Sequence, residues 1–150
     1  MKSIIIFQSV HKGNTKKIAE ALAGELGSKL VKPGEIEVNS LKDYDLIGFG
    51  SGIYFWQHHR DILALAEKIP FSTGQKTFIF STAGLPQFKL LWHSALRNIL
   101  KEKGFKIVGE FSSPGHDEVG PLKMIGGINK GRPNEDDIEK AREFANSLLF

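Results

Sequence analysis

The residues with chemistry to offer sit in three short polar stretches, each directly after an apolar run. The first is Gln8-Ser9-Val10-His11-Lys12-Gly13-Asn14-Thr15, which follows Ile4-Ile5-Ile6-Phe7. Ser9 and Thr15 carry hydroxyls, and Gly13, Asn14 and Thr15 offer backbone N–H groups. His11 and Lys12 add a donor and a point charge. A helix start leaves its first N–H groups without partners inside the helix, and its dipole favours negative charge. Strand, polar loop and helix start in this order leave two readings: a cradle for phosphate, or an ordinary βα turn capped by Asn14 or Thr15. The loop is not of the Walker type, because it lacks the second glycine and the Lys-Ser or Lys-Thr pair. Neither does it have the three spaced glycines of a dinucleotide fingerprint.

The second stretch is Ser51-Gly52-Ile53-Tyr54-Phe55-Trp56, and the third is Ser81-Thr82-Ala83-Gly84. Loops seldom expose four large apolar residues in succession. Two readings of Ile53 to Trp56 stand: a plug tucked into the edge of a sheet, or a wall for a flat aromatic ligand. Glycine at Gly52 and Gly84 lets backbone approach such a ligand closely. A phosphate cradle and an aromatic wall on one edge together describe a flavin mononucleotide (FMN) site.

Other candidates fall away. His58 and His59 are adjacent, point in different directions on a helix and have no third ligand in sequence reach, so a metal site is not expected. They read as a solvated helix start. Trp92 and His93 lie on an apolar helical stripe and read as core. No Ser-His-Asp set has the context of a hydrolase, and Ser51 lacks the glycines of a nucleophile elbow.

Positioning these stretches requires alternating strands and helices. Ile4–Phe7, Asp45–Gly50, Lys76–Phe80 and Phe105–Phe111 read as strands, with short extended pieces at Lys29–Val31 and Ile36–Val38. Helical patterns cover Lys16–Leu26, Arg60–Ile69, Phe88–Lys103 and Asn134–Leu149, with Asn134 as the cap of the last. The alternation predicts an α/β fold: a five-stranded parallel sheet inside a three-layer α/β/α sandwich. All strands of such a sheet end at one edge, where open α/β sheets bind ligands. The segment 112–133 contains five glycines and breaks the rhythm, as functional connections often do.

At 150 residues the chain reads as a single domain, 1–150. It has no cysteine, which excludes disulfides and thiol chemistry. No apolar run approaches the ~20 residues that span a bilayer, so stable membrane insertion is not expected. Met1-Lys2-Ser3 leads straight into an apolar run, and a cytoplasmic protein without a leader is expected. The formal charge is +3, with lysines scattered along helices, so nucleic acid is not an expected partner.

With these residues in view, the chain resembles the short-chain members of the flavodoxin family over essentially its whole length. Gly13-Asn14-Thr15 resembles the end of the family's phosphate loop, and Gly50-Ser51-Gly52-Ile53-Tyr54 its loop beside the flavin ring. Ser81-Thr82-Ala83-Gly84 matches the second ring loop. The glycine-rich tail is similar to that of uncharacterised flavodoxin-like proteins of anaerobic microbes. The resemblance implies strand order 2-1-3-4-5 and non-covalently bound FMN. It further implies one- or two-electron transfer to a redox partner protein or a small-molecule acceptor. The implied cofactor residues are Ser9, His11, Lys12, Gly13, Asn14, Thr15, Ser51, Gly52, Ile53, Tyr54, Phe55, Ser81, Thr82, Ala83 and Gly84, with no catalytic side chain. Alternatives are a protoporphyrinogen oxidase-like or quinone reductase-like enzyme of the same fold, or a binding domain that keeps the fold without flavin. Three departures stand out: Val10-His11-Lys12 where the family usually has hydroxyl residues, a basic rather than acidic balance, and a segment 112–133 longer than a simple electron carrier needs.

Overall fold

A computed structural model describes residues 1–9, 13–115 and 131–149. Its strands are β1 (Ser3–Gln8), β2 (Lys29–Val31), β3 (Leu46–Tyr54), β4 (Gln57–His58), β5 (Lys76–Ala83) and β6 (Lys106–Pro114). The α-helices are α1 (Asn14–Leu26), α2 (Arg60–Lys68), α3 (Lys89–Trp92), α4 (Ser94–Glu102) and α5 (Glu135–Ser147). The main sheet is parallel, in the order β2-β1-β3-β5-β6, and β4 folds back antiparallel on β3. With that short return strand set aside, the order is the expected 2-1-3-4-5.

The sheet is buried on both faces because its strands are apolar on both. Ile4, Ile6, Ile47, Phe49 and Ile79 face a core closed by Ile62 and Leu65 of α2 and Leu96 and Leu100 of α4. Ile5, Phe7, Phe78 and Phe80 face the other, closed by Ile18 and Leu22 of α1 and Ala141 and Ala145 of α5. Ile18, Ala19, Leu22, Ala23 and Leu26, which repeat at helical spacing in the sequence, form the buried face of α1. Asn134 caps α5 reciprocally: its side chain accepts from the Asp137 N–H, and Asp137 accepts from the Asn134 N–H.

Glycines make room for the aromatic half of the second core. Gly48 pairs with Phe78 and Gly50 with Phe80 across β3 and β5. A Cβ at either glycine would lie 2.3 Å from the facing ring. Gly50→Ala should therefore cost about 1–3 kcal/mol through overpacking, read as a lower urea midpoint at unchanged slope. An unchanged midpoint would show that Phe80 has room to move.

Two expectations are corrected. The piece Ile36–Val38 is not a strand: 3-10 turns occupy Pro33–Glu35 and Val38–Asp43. Pro33 opens the first turn, and Glu35 accepts the Lys32 N–H at 2.7 Å, which closes the chain locally instead of extending it. The helix Phe88–Lys103 is split into α3 and α4 at His93, after a 3-10 turn at Pro86–Phe88. Hydrogen bonds from the His93 ring into the sheet account for the break, as described below. β3 and β5 also run further than expected, so Ser51 and Ser81 lie within strands.

Candidate functional site

The ends of β1, β3, β5 and β6 meet the N-terminus of α1 at one edge of the sheet. Gly13 precedes α1 in the left-handed region, at φ 70°, which glycine adopts without steric cost. Ser9 Oγ accepts the Lys16 N–H at 3.3 Å, which ties the end of β1 to the first turn of the helix. Thr15 and Thr82 share a buried hydroxyl–hydroxyl bond of 2.8 Å, which ties the helix start to the end of β5. Gly115 completes the corner: its N–H donates to the Ala83 carbonyl, and a Cβ there would approach Asn14 and Thr82 at 3.1–3.3 Å. His11 and Lys12 lie outside the described residues. So does most of the glycine-rich segment.

The second stretch forms the β3–β4 hairpin. Ser51 is buried; its hydroxyl donates to the Gly52 carbonyl at 2.6 Å and accepts the His59 N–H at 2.9 Å. It stitches the hairpin from beneath. Tyr54 lies over Gly52 and meets the His59 ring edge-on at 5.2 Å, while Ile53 is half-buried. Phe55 and Trp56 form the tip with φ of 49° and 67°. A two-residue turn with positive φ at both positions normally takes Asn-Gly, so two bulky side chains there are strained. They are also 99% and 74% exposed. The plug reading of these four residues fails for the outer two.

In the third stretch, Thr82 and Ala83 are buried and Gly84 is half-buried. Ser81 is fully buried and belongs to a polar network that the sequence reading missed. Glu110 of β6 accepts from Arg97 Nε and Nη2 at 2.8 and 2.7 Å and from His93 Nδ1 at 2.9 Å. A carboxylate only accepts, so His93 carries its proton on Nδ1 and its Nε2 accepts from Ser81 Oγ at 2.7 Å. Ser81 Oγ in turn accepts from Ser112 Oγ at 2.8 Å. The geometry resembles a Ser-His-Glu triad, yet Ser81 and His93 are 0% exposed and present nothing to a substrate. The network braces β5, β6 and the α3–α4 junction.

His58 stands beside it, with ring centroids 4.9 Å from His93. The solvated-helix reading is corrected here: His58 is buried, its Nε2 proton donates to the Phe80 carbonyl at 2.9 Å, and its Nδ1 has no partner among the described residues. His59 does cap α2, accepting the Asp61 N–H at 3.0 Å. Burial, reinforced by repulsion from His93, pushes His58 down to about 3. Burial also lowers His93, against the pull of Glu110. For Glu110 burial opposes ionisation, but the bonds from His93 and Arg97 prevail and hold it at about 2. The signals for this network were faint: a lone carboxylate in the apolar run of β6, and a histidine on an apolar helical stripe. Trp92, read as core, is only half-buried; its indole N–H donates to the Leu85 carbonyl at 2.8 Å.

Comparison with known proteins bears on the whole arrangement. A protein of Methanocaldococcus jannaschii, itself uncharacterized, is 49% identical over 99% of both chains. Oxidised flavodoxin 1 of Bacillus cereus superposes with a TM-score of 0.70 at 19% identity, covering 99% of this chain and 97% of that one. A flavodoxin of Fusobacterium nucleatum bound to flavin mononucleotide gives 0.69 at 16% identity, covering 99% and 98%. These two structures share the fold. The family model for the flavodoxin domain matches residues 4–111, from β1 into β6. This chain belongs to the flavodoxin family.

Proposed function

We propose that the protein binds FMN without a covalent bond and passes one or two electrons to a redox partner protein or a small-molecule acceptor. The observation that carries this reading is the Thr15–Thr82 bond. It joins the anion-binding helix start to the strand end that leads into Thr82-Ala83-Gly84, so phosphate and ring contacts fall at one edge. The residues present fit the cofactor: a 13-residue helix begins at that edge, and among the described residues nothing fills the space at Gly13.

In this reading Ser9, Gly13, Asn14 and Thr15, with His11 and Lys12, hold the phosphate. Thr15 contributes its backbone N–H, and its buried hydroxyl is shared with Thr82. Gly52, Ile53 and Tyr54 face the ring from one side, with Phe55 beside them, and Thr82, Ala83 and Gly84 face its polar edge. Tyr54 is the side chain we assign to stacking, because His59 and Gly52 already set its orientation. Ser51 and Ser81 act from beneath. The isoalloxazine supplies the redox chemistry when bound, while the chain binds it, orients it and excludes water. No side chain is required as an acid or base.

Titration with FMN and with riboflavin, followed by absorbance near 450 nm, tests this. Saturable FMN binding with bleaching on reduction is the expected result; no binding of either flavin leaves a flavin-free binding domain. Gly13→Ala forces alanine into the left-handed region at about 1–2 kcal/mol. It should weaken FMN about tenfold and leave riboflavin nearly unchanged. Equal losses for both flavins would remove the phosphate from this loop.

A further inference from the structure

The β3–β4 hairpin, which supplies the wall for the flavin ring, is anchored to the body by a single buried residue. Gly52, Ile53, Tyr54 and His59 are half-buried, and Phe55, Trp56, Gln57 and Arg60 are exposed. Among them only His58 is buried, at 1% exposure. An apolar anchor would serve such a position at any pH. The anchor is instead the side chain whose charge changes nearest neutrality.

The other ties of the hairpin are slight. β4 meets β3 only at Ile53–His58 and Tyr54–Gln57, whereas β3 and β5 pair continuously from Leu46 to Gly52. Ser51 Oγ accepts the His59 N–H at 2.9 Å, and the Trp56 ring centre lies 6.3 Å from that of Trp92. Against these ties stands the Phe55-Trp56 turn, whose two positive φ angles relax when the hairpin opens.

The closed hairpin admits only the neutral form of His58. Nε2 donates to the Phe80 carbonyl of β5, so a second proton must go to Nδ1. That atom is buried and has no partner among the described residues. A charged donor left there without an acceptor is costly. The neighbouring groups are already engaged. His93, at the α3–α4 junction, donates from Nδ1 to Glu110 and accepts Ser81 on Nε2. Glu110 of β6 is held by His93 and Arg97, and Arg97 of α4 adds charge of the same sign as an imidazolium. Lys89 of α3 donates to the Glu110 carbonyl at 3.3 Å. On β3, Tyr54 meets His59 instead, and at the start of α2 Arg60 is exposed and Asp61 lies 3.7 Å from His59. Water solvates the ring once the hairpin opens, and Nδ1 then takes a proton freely.

We propose that neutral His58 is the positioning residue of this wall, and that proton uptake at its Nδ1 opens the β3–β4 hairpin and releases the flavin ring. The opening stands on the hairpin alone, while release of the ring rests on the function proposed above. Burial moves His58 from its ordinary 6.5 to about 3 in the closed form. The open form therefore gains as pH falls through that window, and above 6.5 the balance does not change.

Amide exchange of the flavin-free full chain reads the opening directly. Corrected for the intrinsic pH dependence of exchange, opening of residues 53–59 should rise about tenfold per pH unit between about pH 6 and about pH 5. Dilute urea should leave that rise unchanged, because a local opening exposes little surface, while exchange in β1 responds to urea. His58→Gln keeps a donor for the Phe80 carbonyl but does not titrate, so it should abolish the rise. If that variant fails to fold, Phe55→Asn takes its place: asparagine tolerates positive φ, so opening should be rarer at every pH with the same slope. With FMN bound, its release rate should follow that slope. Hairpin exchange that ignores pH would overturn the proposal, as would a rise confined to urea-dependent exchange or one that His58→Gln leaves in place. Loss of the slope in Phe55→Asn, or FMN release that stays level while the hairpin opens, would equally overturn it. Failure to bind FMN would remove the proposed function instead, and exchange would still decide whether His58 holds the hairpin.

Discussion

Acidification from about pH 7.5 to about pH 4.5 should cost this protein about 3 kcal/mol of folding stability, mainly through one residue. His58 ionises near 6.5 in the unfolded chain but only at about 3 in the folded one. Between those values the unfolded state binds a proton that the folded state refuses, so stability is complete above 6.5 and drains as pH falls towards 3. Each pH unit inside that window is worth about 1.4 kcal/mol. His93 is also lowered and adds loss in the same direction. Glu110 enters later: its contribution is present above its ordinary value of 4.5 and is lost as pH falls through about 2. Against a typical total of about 5–15 kcal/mol, the histidine effect alone is large. Urea midpoints at the two pH values measure it, and His58→Gln, which keeps a donor for the Phe80 carbonyl, should flatten most of the difference. Equal wild-type midpoints would show that the ring is reached by water.

The second large effect is expected from Glu110→Ala. The carboxylate receives a two-pronged bond from Arg97 and one from His93, with Glu110 and Arg97 side chains each 16% exposed and His93 at 0%. Removing it leaves a guanidinium fork and an imidazole N–H without their acceptor where little water reaches. Breaking such a pair from one side costs about 3–5 kcal/mol when fully buried, so about 3 kcal/mol is expected at this exposure. Replacing Arg97 and Glu110 together by Leu and Met should cost less than Glu110→Ala alone, because no charge is then stranded. A single-variant loss below 1 kcal/mol would mean that the network is looser than its distances indicate. Loss of Glu110 also frees His93 and, through it, Ser81, so the 81–84 stretch should gain amide exchange.

The parallel sheet and the edge where the polar stretches gather were legible in the sequence, while the strand order came only from the family resemblance. The reason is local: Ile4–Phe7, Asp45–Gly50 and Lys76–Phe80 are apolar without alternation, and Ile18, Ala19, Leu22, Ala23 and Leu26 repeat at helical spacing. Each pattern reports a strand or helix within a few residues of itself. The cap at Asn134 was readable in the same way. The family resemblance extended this reading from the elements to the flavin edge, and the family match covers the same region.

Contacts between distant segments were not legible, because nothing local distinguishes their members. His93 on an apolar stripe looks like core until β6 brings Glu110 to 2.9 Å and β5 brings Ser81 to 2.7 Å. That pull breaks the predicted helix Phe88–Lys103 in two. His58 and His59 are neighbours in the chain, yet the return of β4 buries one beneath β5 and leaves the other to cap α2. Among four successive large residues, the turn at Phe55-Trp56 alone decides that Tyr54 leans inward and the next two rings face solvent. Periodicity along the chain set the elements and the edge they share; partners brought from far along the chain, as Thr82 is to Thr15 across 67 residues, set which side chains lie at that edge and which brace it from below.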